Sequence, residues 1–267
     1  MGSGKKELMK KDKYKNILLT GASGQLGQAI IDSGIFPRLL TPEINIFDIT
    51  KPASIEKYFK KHKFNAIIHC AALARMAECD ESPVKAIKTN IIGTSNLVNA
   101  VIDKENKLKT KIRFIHISTD GVYSGTKGNY NEKDGTIPYN IYGWTKLGAE
   151  CVVNLLSDFC IIRTSFFNPK KIRFDCSATD LYSSKVTIDY LARAIMAMLN
   201  SAFIGVINIG GRRQSDYQRY KEFKPSLKPC KGSDIIKQIN FKVAKDASLN
   251  SRRWEKLAKK YLKENNA

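Results

Sequence analysis

Tyr142 and Lys146 stand four residues apart in Tyr142-Gly143-Trp144-Thr145-Lys146. That spacing places a phenol and an ammonium on one face of a helix. A free tyrosine is too weak an acid to exchange its proton readily near neutral pH. A neighbouring ammonium favours the phenolate and lowers that pKa, so the pair can serve as an acid-base couple for an oxygen that gains charge. Surface helices carry the same pair with no chemical task, so the surroundings must decide. Thr119 ends the apolar run Ile115-His116-Ile117-Ser118-Thr119-Asp120, and its hydroxyl can donate to a carbonyl oxygen that Tyr142 also reaches. Ser118 and Asp120 can instead cap the turn that follows.

A second constellation is Gly21-Ala22-Ser23-Gly24-Gln25-Leu26-Gly27, placed between a short apolar strand and a helix. A pyrophosphate at such a crossing meets free backbone N–H groups and the positive end of a helix dipole. Gly21 allows the tight turn, Gly24 lets backbone approach phosphate, and Gly27 lets the helix pack close to the sheet. Glycine turns join strands to helices in many proteins, but at the first strand-to-helix crossing this one predicts a dinucleotide site. The tip of the second strand, Leu40-Thr41-Pro42, lacks the carboxylate that would bind a free ribose 2′-hydroxyl, and Glu43 lies beyond it. This, with the local positive charge, points to NADP(H) over NAD(H). Asp48 is expected to address the adenine.

The elements that must hold these groups follow from periodicity. Strands are expected over residues 15–20, 38–41, 44–47, 65–70, 113–118, 160–164 and 205–209. Helices are expected over residues 25–33, 51–61, 81–102, 139–158, 188–199 and 253–262, with residues 121–136 and 168–185 as loops. Near-continuous apolar strands alternating with helices predict an α/β fold, a Rossmann-type parallel sheet flanked by helices with a small C-terminal substrate-binding lobe. The expected division is a flexible basic leader over residues 1–15 and a dinucleotide-binding domain over 16–165. Residues 166–267 then form mainly a substrate-binding lobe, with segments returning to the sheet.

With 267 residues, 43% of them hydrophobic, the chain can bury a substantial core. Its formal charge of +20 can draw nucleic acid or small anions. The lysines are spread along the whole chain without an aromatic-interleaved stripe, so nucleic acid is not expected as a partner. No apolar run is long enough to cross a bilayer, and Lys6 stands where a myristoylation signal needs Ser or Thr. The six cysteines form no Cys-x-x-Cys pair. No metal site is expected, and reduced thiols in a cytoplasmic protein are the economical reading.

Taken in order, these motifs resemble the extended short-chain dehydrogenase/reductase superfamily, and within it the dTDP-4-dehydrorhamnose reductase family. The resemblance rests on the glycine turn, Phe47-Asp48-Ile49-Thr50, His69-Cys70-Ala71-Ala72 and Asn90-Ile91-Ile92-Gly93-Thr94. It continues through Ser118-Thr119-Asp120-Gly121-Val122-Tyr123, residues 142–150, Arg163-Thr164-Ser165 and Lys245-Asp246-Ala247-Ser248-Leu249. The resemblance implies cofactor contacts from Gly21, Ser23, Gly24, Gln25, Leu26, Gly27, Asp48, Ile49, Ala71 and Ala72, with Asn90 at or behind the cofactor pocket. It implies Thr119, Tyr142 and Lys146 as the catalytic set, Tyr142 and Lys146 also touching the cofactor. The reaction it implies is NAD(P)H-dependent reduction of the C4 keto group of a nucleoside-diphosphate 4-keto-6-deoxy sugar. Tyr142 would protonate the oxygen, Lys146 would hold the nicotinamide ribose and tune Tyr142, and Thr119 would polarise the carbonyl.

Residues 166–185 are shorter than the corresponding stretch of that family, which leaves the sugar and the base open. Substrate contacts are expected from Thr119, Asp120, Tyr142, Lys170, Lys171, Arg173 and Tyr182, the loop cations meeting the diphosphate or simply water. The same resemblance reaches NADP(H)-binding regulatory subunits such as the methionine adenosyltransferase beta subunit, and nucleotide-sugar epimerases. A homodimer is left open.

Overall fold

The computed structural model describes Tyr14 and residues 16–261. The leader expected over residues 1–15 therefore lies, Tyr14 aside, outside the described residues. The sheet begins with β1 (Ile17–Thr20), followed by α1 (Gln25–Asp32) and the short β2 (Leu39–Leu40). Next come α2 (Pro52–Lys61), β3 (Ala66–His69) and β4 (Arg113–Thr119), with β5 (Phe159–Thr164) further on. The sixth strand is Gly205–Ile209, and the order across the sheet is Gly205–Ile209, β5, β4, β3, β1, β2. Every pairing in it is parallel.

The apolar runs lack polar alternation because both faces are covered. Ile17 and Leu19 belong to one core and Leu18 to the other; Ala66 and Ile68 likewise oppose Ile67. One core packs the sheet against α1 and α7 (Ile188–Asn200), and the other against α2 and the helices between β3 and β5. Strand order reverses on the two sides of β1, where β2 and β3 lie on opposite flanks. A crevice at the carboxyl ends of the strands is the expected consequence.

Three expected elements differ. Residues 44–47 form a turn instead of a strand: the Ile46 and Phe47 N–H groups both donate to Glu43 O. Ile44 and Ile46 point to solvent while Phe47 is buried, so nothing is available to pair with an extended chain. The helix expected over 81–102 is instead α3 (Met76–Glu81), α4 (Pro83–Ala86), a π-helical segment Ile87–Ile92 and α5 (Gly93–Leu108). Ser82 leaves helical geometry, and Pro83, which has no N–H to lose, restarts the helix. The helix expected over 139–158 is α6 (Ile141–Val153), because the Asn140 side chain accepts the Gly143 N–H at 2.8 Å and so fixes its start.

Beyond Thr164 the chain builds small paired strands that periodicity did not reveal. Phe166–Phe167 pairs with Val186–Thr187, Cys176–Ala178 with Lys228–Cys230, and Tyr182–Ser183 with Gln214–Ser215. The late segment carrying Asp246 returns to the middle of the molecule. Asp246 N donates to Gly125 O at 2.8 Å, Ala247 N to Tyr182 O at 3.0 Å, and Leu249 N to Ser184 Oγ at 2.9 Å.

One buried ion pair ties α6 to the sheet. Arg163 on β5 grips Glu150 through Nε and Nη2, the latter 2.7 Å from Oε2. Ser118 on β4 donates to Glu150 Oε1 at 2.5 Å, and Arg163 Nη1 donates to the Tyr123 hydroxyl at 2.9 Å. Removing one partner of such a pair strands a buried charge, at a cost of about 3–5 kcal/mol. Glu150→Leu should lower unfolding stability in urea by that order. Glu150→Leu combined with Arg163→Met should recover most of it; equal stability of the two variants would show that the pair does not anchor α6.

Candidate functional site

The glycine turn is shaped by contact with the next strand. Gly21 has φ +72°, and a Cβ there would fall 2.6 Å from Ala71 N. A Cβ on Gly27 would lie 2.3 Å from Gly21 O, so turn and helix can close only with glycine at both positions. Gly24 caps α1 without a side-chain partner, and the first turn of α1 holds no acidic residue. The end of the helix is therefore positive and open to an anion. A cavity of about 800 Å³ opens beside it, lined among others by Gly21, Ser23, Gly24, Asp48, Ile49 and Ala71. That volume lies in the range of ligand pockets, and the donor-rich, glycine-walled end fits a dinucleotide pyrophosphate.

Other expected cofactor residues are placed as follows. Ala72 lines the same cavity; Gln25 and Leu26 open α1, Leu26 with its side chain in the core. Asp48 lines the cavity, but its Oδ1 already accepts the Thr50 N–H at 2.9 Å and hydroxyl at 2.8 Å. Asn90 sits behind the wall with its side chain fully engaged. Its Oδ1 accepts Leu73 N at 2.7 Å, and its Nδ2 donates to Leu73 O and Thr145 Oγ1. The π-helical turn thereby locks the segment after β3 to the residue preceding Lys146.

A buried polar row runs across the sheet, since register aligns Thr20 with His69 and His69 with His116. Thr20 Oγ1 and His69 Nδ1 lie 2.7 Å apart, and His69 Nε2 lies 3.0 Å from Thr94 Oγ1. Lys146 reaches this row from α6, its Nζ 3.2 Å from His116 Nε2. Burial, with the nearby Lys146 charge, pushes His69 down to about 3. Burial also brings Lys146 down to about 8, against the opposing pull of Glu150 and Cys70.

Tyr142 is half-buried one turn before Lys146. Its phenol is raised above the ordinary tyrosine value, by burial first and then by the charges of Asp120 and Cys79. This corrects the expectation that the Lys146 ammonium lowers it: in the protein alone that ammonium donates to His116, and Tyr142 is held as the protonated acid. Thr119 Oγ1 accepts the Gly121 N–H at 3.0 Å and donates to Asp120 Oδ1 at 3.1 Å. Asp120 is pushed up to about 6 by burial, against the pull of Lys185 and the Thr119 and Ser165 hydroxyls.

The cations expected to meet a diphosphate are not gathered here. Lys170 and Lys171 lie in a 3₁₀ turn and, like Arg173, are exposed. Tyr182 has one face covered by the Arg213 guanidinium, 4.0 Å from the ring centre, and Arg213 also pairs with Asp246. The cation that the fold does bring toward Asp120 is Lys185, which sequence reasoning missed. Its Nζ lies 3.0 Å from Asp216 Oδ1 and 3.1 Å from the Tyr220 hydroxyl. Arg219 fixes the backbone that carries it, donating to Lys185 O at 2.7 Å and Ser183 O at 2.6 Å. Tyr139 belongs to the same neighbourhood, its phenol raised by burial and by Asp120. No local pattern joins these residues; only the small strand pairs do. Trp144 is exposed, whereas Trp254 is buried and donates to the Tyr190 hydroxyl at 2.8 Å.

Comparison with known proteins matches residues 15–173 to the family described as RmlD substrate binding domain. A dTDP-4-keto-6-deoxy-D-glucose reductase of Streptomyces niveus is 33% identical over 156 residues, 56% of this chain and 51% of that protein. The methionine adenosyltransferase 2 subunit beta of Pongo abelii is 30% identical over 151 residues, 52% of this chain and 42% of that protein. The chain thus spans about half the length of the curated relatives it matches. In fold, it superposes with a TM-score of 0.78 on the dTDP-4-dehydrorhamnose reductase of Bacillus anthracis solved in complex with NADP. That likeness covers 94% of this chain and 99% of the other at 20% identity.

Asp120 gives the site a stability signature. Its folded pKa of about 6 lies above the ordinary 3.8, so its stabilising contribution is complete below the lower value and is lost as pH rises through about 6. Asp120→Asn should therefore gain on the wild type between pH 4.5 and pH 7.5, by at most about 2 kcal/mol. Urea unfolding at the two pH values checks this; an equal difference at both would mean that Asp120 ionises as freely as in solvent.

Proposed function

Because the chain belongs to the RmlD substrate binding domain family, we propose that it reduces the C4 keto group of a nucleoside-diphosphate 4-keto-6-deoxy sugar, using NADP(H) in preference to NAD(H). The observation that carries this reading is a shared neighbourhood at the sheet edge. The glycine-walled cavity is bounded by Thr20 at the end of β1 and by Cys70 and Ala71 just past β3. The charge of Lys146 on α6 acts on Cys70, with Tyr142 one turn earlier on α6 and Thr119 at the end of the adjacent β4. Gly21, Ser23, Gly24 and the start of α1 would hold the pyrophosphate, with Asp48, Ile49, Ala71 and Ala72 along the rest of the dinucleotide. When bound, the nicotinamide supplies the hydride.

The chain's own residues account for the remaining chemistry. Tyr142, held protonated by its surroundings, donates its proton to the oxygen that gains charge. Thr119 orients that oxygen, a contact that counts most in the transition state. Lys146 would hold the nicotinamide ribose and keep a positive charge one turn from Tyr142. Asp120 and Lys185 face the substrate side and would select for the sugar, with residues 166–267 forming most of the substrate lobe. Lys170, Lys171, Arg173 and Tyr182 remain candidates for the outer end of the nucleotide, from the positions given above.

The cofactor preference has support from two sides. Beyond Leu40 the cavity wall is Thr41, Pro42 and Glu43, and Lys85 and Lys88 line the same space. The Bacillus anthracis enzyme carries NADP. Among the described residues no helix is long and apolar enough to cross a membrane, and the six cysteines are free. A cytoplasmic enzyme with a nucleotide-sugar partner fits both facts, and a homodimer is compatible with them. The likeness to a methionine adenosyltransferase subunit favours a second reading, a dinucleotide-binding regulatory subunit.

A panel of 4-keto-6-deoxy nucleotide sugars, assayed with NADPH and with NADH, separates the two. Turnover is expected from the wild type. Tyr142→Phe should lose at least about 100-fold in kcat while binding NADPH within about threefold of the wild type. Unchanged turnover in that variant would remove Tyr142 from the chemical step. Tight NADPH binding without turnover across the panel would establish the regulatory reading.

A further inference from the structure

Lys146 would be expected to pair with Glu150, four residues along the same helix face. That carboxylate is already claimed. Ser118 and Arg163 Nε occupy Oε1, and Arg163 Nε and Nη2 occupy Oε2. The ammonium turns instead into the sheet and meets His116 Nε2 at 3.2 Å. An ammonium can only donate, so this nitrogen of His116 accepts and the ring is neutral, with its proton on Nδ1. Among the described residues that Nδ1 has no hydrogen-bond partner although it is buried. A fold rarely leaves such a group unpaired without a reason.

The neighbouring histidine cannot take over the role. Thr94 Oγ1 gives its own proton to Asn90 O, so it accepts from His69 Nε2. His69 Nδ1 then accepts from Thr20 Oγ1, which in turn accepts the Ala71 N–H at 3.2 Å. Both nitrogens of His69 are thus committed, and its ring stands 5.3 Å from that of His116. The groups facing Lys146 are His116 on β4, His69 and Cys70 at the end of β3, and Glu150 on its own helix. Of these, His116 is the acceptor within reach.

We propose that His116 is a positioning residue for Lys146: its neutral imidazole accepts from the ammonium and holds the amine beside the carboxyl end of β3, away from Glu150, where a dinucleotide ribose can meet it. The inference rests on the reading of Lys146 as part of the dinucleotide site. It assigns to the orphaned Nδ1–H a purpose, since the tautomer that satisfies Lys146 is the one that leaves Nδ1 unpaired.

The experiment follows the Lys146 amine itself, through its ¹³Cε resonance in lysine-labelled protein without cofactor, in wild type, His116→Leu and His116→Gln. Assignment comes from Lys146→Arg. His116→Leu removes the acceptor and should move the amine's titration midpoint down by about one pH unit. NADPH affinity, read by fluorescence at pH 7.5, should weaken by about tenfold in the same variant. His116→Gln restores an acceptor and should return both readings to within about threefold or 0.3 pH unit of the wild type. A folded His116→Leu protein with an unmoved titration overturns the proposal, as does a His116→Gln protein that behaves like His116→Leu. Absence of NADPH binding in the wild type would defeat the functional reading alone, because the titration in the cofactor-free protein still reports on His116.

Discussion

The site depends on where one carboxylate is spent. Glu150 is enclosed by Arg163 and Ser118, so α6 is pinned against β4 and β5 at a fixed rotation. That rotation turns the amine of Lys146 to the sheet, where it meets His116. Arg163 extends the constraint through Tyr123 to Asn208 on the edge strand Gly205–Ile209, 3.1 Å from the Tyr123 hydroxyl. Helix, central strands and late strand therefore share one buried polar network. Such networks are high-stakes because each unpaired member is costly, and they favour a single arrangement.

The sheet register supplies the second half of the geometry. Thr20, His69 and His116 fall in one row because β1, β3 and β4 are parallel and in step. Thr20 is also the residue before the glycine turn. The strand that ends at the glycine turn and the row that receives Lys146 are thus one piece of hydrogen-bonded structure. Alignment in such a crevice comes from the scaffold, which is why little side-chain rearrangement is required for preorganisation.

Much of this was legible in the sequence. The glycine turn, the buried strands and the Tyr142–Lys146 spacing are local patterns, and local patterns survive folding when tertiary contacts agree with them. Residues 44–47 misled because their apolar character resembles a strand, whereas Glu43 O closes a turn over Phe47. The π-helical segment Ile87–Ile92 was hidden because its helical periodicity continues while one extra residue aims Asn90 inward. The lowered Tyr142 pKa was expected from spacing alone. The actual direction depends on burial and on Asp120, which comes from another element. Lys185, Asp216 and Arg219 meet only through paired strands of two or three residues, too short to announce themselves by alternation. His116 could be read as an apolar-strand histidine, but its use requires knowing that Glu150 is taken.

The late return of residues 245–249 has a temporal consequence. Asp246 and Ala247 bridge the loop at Gly125 and the strand at Tyr182, and Ser248 Oγ accepts the Asn129 N–H at 2.8 Å. The contacts to Gly125 and Asn129 join segments made more than a hundred residues apart. On the ribosome, every strand of the six-stranded sheet is already made while the loop from Ser124 to Tyr130 still waits for its partner. That loop therefore closes only once residues 245–249 have followed, well after the sheet it sits on.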